Sequence, residues 1–120
     1  AELIFESKDD LTRISVTRGK DDVAEESLAS YIETFKNNMV GYTDVKFETY
    51  QKYGKNFARI VATSTDESSR YYDIRYFILD NKLVTVEFYT TINQKTEWEK
   101  VSKKILDSIC FDEEDIKDKN

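Results

Sequence analysis

Apolar and polar residues alternate with a period of two through most of residues 44–91. Four segments carry the pattern: DVKFETYQKY, NFARIVATST, RYYDIRYFIL and KLVTVEFYTT. Each is rich in aromatic and β-branched residues, which suit a pleated, half-buried surface. Short polar turns separate them, around Tyr53-Gly54-Lys55-Asn56, Asp66-Glu67-Ser68-Ser69 and Asp80-Asn81-Lys82. The block predicts four consecutive antiparallel strands.

The flanks follow other periods. Leu3-Ile4-Phe5 predicts a short opening strand, Asp9-Asp10 a turn, and LTRISVTR over 11–18 a second strand with one buried face. Gly19-Lys20-Asp21-Asp22 reads as a loop whose aspartates cap a following helix. In that helix, over 23–39, Leu28, Ile32, Phe35 and Met39 recur at steps of four, three and four, which makes one apolar stripe. Gly41 is placed to end it in a left-handed conformation. A last helix over about 94–108, capped by Thr91 or Asn93, carries Trp98, Val101, Ile105 and Leu106 on one side, extended by Ile109. Beyond it DEEDIKDKN, residues 112–120, has one apolar residue and reads as a flexible acidic tail. The tail lacks the glycine and the ligand spacing of a calcium loop.

The resulting order is β-β-α-β-β-β-β-α. It predicts an α+β domain over residues 1–111, with an antiparallel sheet of about six strands and two packed helices. In the last hairpin a three-residue loop sets Ile78 against Val84, Tyr76 against Val86 and Ile74 against Phe88. That register keeps the apolar residues together and places Arg75 opposite Glu87. One sheet face then packs on the helices and the other turns to solvent. The solvent face collects Glu48, Tyr50, Phe57, Arg59, Val61, Asp73, Arg75, Phe77, Glu87 and Tyr89. Tyr and Arg are enriched at interface hot spots, so Tyr50, Arg59, Arg75, Phe77 and Tyr89 are the candidate binding surface. A solvated face of cross-strand ion pairs is the plainer reading of the same residues. An apolar pocket between helices and sheet, lined by Tyr31, Phe35, Tyr72, Tyr76 and Trp98, is the alternative site, and would make the domain a small-molecule carrier.

Composition narrows the chemistry. There is no His in the 120 residues, which removes Ser-His-Asp and Cys-His catalysis and histidine metal ligands. A single cysteine, Cys110, excludes an internal disulfide and a thiolate metal cluster. Between Ile109 and Phe111 it reads as a buried structural thiol. Three glycines and no proline leave no glycine-rich phosphate cradle. A carboxylate pair such as Asp73 and Glu87 remains for acid–base work, but Arg75 between them would hold both ionised. The expectation is therefore no catalytic residue, no metal and no cofactor. The net charge of −6 argues against nucleic acid and anionic membranes. No apolar run reaches the roughly 20 residues of a membrane span. The chain begins at Ala1 without a targeting segment, so it reads as a mature domain, with an upstream lipid anchor compatible with that reading.

The order of elements resembles a known family. RISVT, the helix SLASYIETFK, the strand pair VKFETYQKYGKNFARIVAT with Gly54 at its turn, the hairpin YYDIRYFILDNKLVTVEFY and the closing WEKVSKKILDSICF resemble the PsbP-like fold. That family includes the photosystem extrinsic protein PsbP, bacterial DcrB-type envelope lipoproteins and a relative that binds the Ran GTPase. The resemblance implies a non-enzymatic accessory or binding protein with a protein partner. The bacterial branch implies an extracytoplasmic location, secreted or anchored at the cell envelope. The Ran-binding relative implies the alternative, a cytosolic partner-binding domain. The histidines that some plant members use for metal have no counterpart in this chain.

Overall fold

The computed structural model describes residues 3–8 and 11–109. Asp9-Asp10, Cys110 and the acidic tail, all read from sequence above, lie outside them. Six strands, β1 (Leu3–Glu6), β2 (Arg13–Asp22), β3 (Tyr42–Lys52), β4 (Lys55–Ser64), β5 (Arg70–Leu79) and β6 (Lys82–Thr91), form one antiparallel sheet in the order β1-β2-β6-β5-β4-β3. Helix α1 (Leu28–Asn37) enters between β2 and β3, and α2 (Lys95–Asp107) follows β6. The α+β class and the antiparallel sheet with two helices are as the sequence pattern predicts.

The two-residue turns set the register. In Asp80-Asn81 both residues have positive φ, 52° and 63°, as in a type I′ hairpin turn. Ile78 therefore faces Leu83, Ile74 faces Glu87 and Arg75 faces Val86. The expected three-residue loop, and with it the Arg75–Glu87 pair, is wrong. That expectation assumed a sheet buried on one side only. The sheet is buried on both sides, so Leu83 joins one apolar face while Val84, Val86 and Phe88 belong to the other. Tyr53-Gly54 makes the corresponding turn between β3 and β4, with φ of 56° and 72°.

On the first face α1 packs over β3, β4 and β5. Leu28 and Ile32 are fully buried against Ala58, Ile60, Ala62, Ile74 and Ile78. Each such side chain contributes about 1.5–3 kcal/mol. Four corrections to the sequence pattern fall here. The helix is shorter than predicted, and a 3-10 turn over Glu25–Ser27 precedes it. Asp21 and Asp22 do not cap it, because β2 continues past a register irregularity until Asp22 pairs with Lys82. Phe35 stays exposed, and Met39 lies beyond the helix end. Gly41 is left-handed, with φ of 84°, but sits in the α1–β3 connection rather than at the cap.

On the opposite face α2 packs over β5 and β6, so the predicted solvent face is covered. Leu106 and Ser102 are buried, and Trp98 is half-buried against a cluster of Phe57, Tyr71, Phe77, Val86 and Phe88. Val101 and Ile105, predicted on the buried stripe, are instead exposed. Neither Thr91 nor Asn93 caps the helix: its N-cap is Gln94, and no side chain bonds the first turn. Among the described residues no helix is long and apolar enough to cross a membrane.

The Gly54 conformation gives a clean test. A Cβ there would meet nothing within 4 Å, so any cost of Gly54→Ala is conformational. Urea unfolding is expected to show a loss of about 1–2 kcal/mol, the usual penalty of a left-handed L-residue.

Candidate functional site

Register divides the candidate binding residues between two layers. Tyr50, Arg59, Arg75 and Phe77 lie on the α2 face, and Tyr89 lies on the α1 face. Arg75 and Phe77 are buried beneath α2, at 1% and 6% exposure, so they cannot form an open surface. The alternative pocket also divides. Tyr31, Phe35, Tyr72 and Tyr76 lie on the α1 side, whereas Trp98 packs in the α2 layer. These five residues therefore line no common cavity. Asp73 and Glu87 likewise fall on opposite faces, so they do not form an acid–base pair.

Beneath α2 the polar residues form a closed ionic chain. Asp73, 1% exposed, accepts from Arg59 Nε at 3.0 Å and Nη2 at 2.8 Å, and from Arg75 Nε at 3.1 Å. Arg75 Nη1 donates to Asp107 Oδ1 of α2 at 2.8 Å and to the Tyr50 hydroxyl at 3.0 Å. Lys52 donates to the Asp107 carbonyl, and Lys103 to its carboxylate at 2.6 Å. Tyr50 in turn stacks on Phe57 with centroids 5.0 Å apart. Burial works against the Arg75 charge, but its bonds to Asp73, Asp107 and Tyr50 outweigh that and hold it charged. Burial would raise the Asp107 carboxyl, yet the bonds from Lys103 and Arg75 bring it below its ordinary value. Fixed charges of this kind suit a structural clamp better than proton transfer, which needs a group poised near the working pH. The sequence pattern missed Asp107, which sits on the helix 32 residues from Arg75.

The α1 face holds the more open surface. Helix α1 packs chiefly over β3, β4 and β5, so the part of the face over β6 and β2 is less covered by it. Three rows cross β2, β6 and β5 there: Arg13, Tyr89 and Tyr72; Ser15, Glu87 and Ile74; Thr17, Thr85 and Tyr76. Aromatic rings border them. Tyr42 meets Tyr72 at 5.8 Å, Tyr72 meets Tyr89 at 5.8 Å, and Phe35 bridges Tyr31 at 5.0 Å and Tyr76 at 6.1 Å. The Arg70 guanidinium lies 4.6 Å over the Tyr89 ring. Arg13 reaches Glu6 only at 3.9 Å, and its buried Nε has no hydrogen-bond partner among the described residues.

Glu87 is the anomaly of this surface. It is half-buried and forms no salt bridge among the described residues. Burial raises its carboxyl above the ordinary value, and the more distant Arg13 and Arg70 only partly oppose that. The neighbouring Tyr76 hydroxyl is raised as well, by burial and then by Glu87 and Tyr42. A partly desolvated carboxylate kept among tyrosines costs the fold stability, and such costs concentrate at working surfaces. The sequence did offer a signal: Glu87 interrupts an otherwise apolar or β-branched run, VTVEFYTT.

No protein-family model matches the chain, and no curated protein does so. Among solved structures it is similar to the crystal structure of PA94 from Pseudomonas aeruginosa, a protein of unknown function classed as a candidate regulator. The TM-score is 0.65 at 11% sequence identity, over 84% of this chain and 73% of that one. At that identity the likeness concerns the fold.

Two outcomes test these assignments. Arg75→Ala leaves Asp73 buried with one guanidinium and breaks the tie from β5 to Asp107, and is expected to cost about 3 kcal/mol or more in chemical denaturation. Glu87→Gln is expected to act in the opposite direction. A carboxyl whose folded pKa is raised contributes stability below its ordinary value of 4.5, and that contribution is lost as pH rises through the folded value. Glu87→Gln should therefore raise the Tm at pH 7, with the gain shrinking as pH falls through the raised folded value and gone below 4.5.

Proposed function

We propose that the chain is a non-catalytic binding domain that engages a protein partner through the less covered part of its α1 face. The observation that carries this reading is the band of Tyr42, Tyr72, Tyr89, Arg13, Arg70 and Glu87, in which tyrosines and arginines surround a half-buried carboxylate. Rigid tyrosines beside arginines are the side chains that supply most interface energy. Glu87 adds a specific demand, since its carboxylate gains most from a donor brought in by the partner.

The resemblance to the PsbP-like fold supports an accessory role, and its bacterial branch supports placement outside the cytoplasm, as the soluble part of a secreted or envelope-anchored protein. The likeness to PA94 is compatible with a binding role and names no ligand.

The test is site-specific photo-crosslinking in the native host. A crosslinker at Tyr89 or Arg70 should trap a discrete partner, and one at Lys104 on the outer side of α2 should not. Tyr89→Ala and Arg70→Ala should abolish the adduct formed from a crosslinker at Thr85 while shifting the Tm by no more than a few degrees. Equal trapping from Lys104, or an adduct that survives both substitutions, would remove the α1 face from consideration.

A further inference from the structure

The sheet ends in two edge strands, the short β1 and the eleven-residue β3. A long edge strand presents a row of backbone donors and acceptors that its own sheet does not fill. Register shows which groups these are on β3. The two-residue Tyr53-Gly54 turn closes on Lys52 and Lys55, whose backbones bond each other across it. Hydrogen-bonded and non-bonded pairs alternate from there, so Tyr50, Glu48 and Lys46 also turn their N–H and C=O groups toward β4. Gln51, Thr49 and Phe47 turn theirs outward. The regular pairing ends beyond Lys46, at an irregularity where Asp44 has a φ of 54°.

The side chains of this edge are self-complementary about one residue. Lys46 and Glu48 flank Phe47 and share the face that carries α2. When two β3 strands pair antiparallel about Phe47, Lys46 of each protomer stands opposite Glu48 of the other, and the two-fold axis makes that ion pair twice. On the other face Phe47 meets Phe47 and Val45 meets Thr49, beside the core under α1 against which Val45 and Phe47 already pack. The backbone agrees with this centre. Phe47 bonds outward, so the two Phe47 residues exchange both hydrogen bonds. Lys46 and Glu48 then fall in non-bonded pairs, whose Cα atoms lie about 4.5 Å apart rather than about 5.5 Å.

Other centres do worse. An axis at Glu48 sets glutamate against glutamate, one at Lys46 sets lysine against lysine, and one at Thr49 sets Lys46 against Lys52. An axis at Val45 matches Lys46 with Asp44 but falls on the irregularity. An axis at Tyr50 matches Glu48 with Lys52, which already donates to the Asp107 carbonyl. Both charges are available for the Phe47 centre. Lys46 lines a cleft of about 420 Å³ that sets α2 back from this edge, and it forms no ion pair among the described residues. Glu48 meets Arg59 at 3.1 Å through one oxygen, and its side chain stays 57% exposed. A carboxylate accepts on two oxygens, so Glu48 can stand between Arg59 and the other protomer's lysine. Charges on an edge strand ordinarily keep it from pairing, but here their order favours it.

We infer that β3 is the interface of a homodimer, in which two copies of this chain join edge to edge, antiparallel and centred on Phe47, into one continuous sheet. The inference does not rest on the α1-face reading, since the tyrosines and arginines over β2, β6 and β5 stay open in both copies.

Sedimentation velocity of the full chain at up to about 1 mM, which covers near-millimolar affinities, tests it. A monomer–dimer equilibrium is expected. Lys46→Glu and Glu48→Lys each set like charges opposite one another twice, and each is expected to weaken the dimer by at least about tenfold. Both side chains are exposed, so the variants are expected to fold. An equimolar mixture of the two variants again sets opposite charges across the strands and should recover the dimer as a heterodimer. Thr49→Pro removes an outward N–H that β4 does not use, so the dimer should be lost while far-UV circular dichroism stays that of the folded chain. The inference is overturned if the chain stays monomeric throughout, or if either charge variant dimerises as well as the unsubstituted chain. It is also overturned if the mixture associates no better than its components, or if folded Thr49→Pro protein still dimerises.

Discussion

The two residues Asp80 and Asn81 set what lies on each face of the sheet. Side chains alternate strictly along a strand, so one residue more or less in that turn would exchange the faces of β6 relative to β5. With both residues at positive φ the loop closes in two. Leu83 then completes the core under α1, while Val84, Val86 and Phe88 complete the core under α2. The same choice moves Glu87 and Tyr89 away from Arg75 and Phe77. The make-up of the two faces follows from that separation: one carries the tyrosines and a half-buried carboxylate, and the other carries the closed ionic chain.

A sheet covered on both faces also explains why its most polar row is buried. Arg59, Asp73 and Arg75 occupy positions where α2 lies close overhead, and burial of such charges is tolerable only when each is bonded several times. Asp107 supplies what the sheet lacks. It joins the end of α2 to Arg75 and receives Lys52 and Lys103, so the helix is fastened at its C-terminal end beside the buried Leu106. Ser102 and Leu106 alone are fully buried along α2, while Val101 and Ile105 remain exposed. The ionic clamp therefore adds to the apolar packing of Leu106, Trp98 and Ile109 in positioning this helix.

Strand positions, helix positions and their order were legible in the chain, because periods of two and of three to four are local properties of the sequence. The parity of β4 and β5 was legible too: Ala58, Ile60 and Ala62 lie with Ile74, Tyr76 and Ile78 as their alternation implies. What was not legible depended on the second helix layer. Seen alone, KLVTVEFYTT has a single apolar set, and joining it to the apolar set of β5 is the economical choice. Only with α2 in place do two apolar sets become the better solution. The pairing of Arg75 with Asp107 was hidden for a related reason, since no spacing rule links a strand residue to a helix 32 positions on. The missing side-chain caps of both helices show that tertiary packing replaced local signals at their starts.

The acidity of the whole chain takes on a different meaning once the faces are separated. A net charge of −6 suggests a uniformly repulsive, solvated surface. The charges near the two candidate sites are not arranged that way. On the α1 face two arginines stand near one half-buried carboxylate, and the cleft beside α2 is lined by Lys46, Lys95 and Arg59 as well as by Glu48 and Glu99. Excess acid thus resides elsewhere on the chain. At these positions the local order of charges and rings differs from what the long-range field alone would suggest. Added salt screens a long-range field far more than it screens a half-buried contact, so the two contributions differ in their dependence on ionic strength.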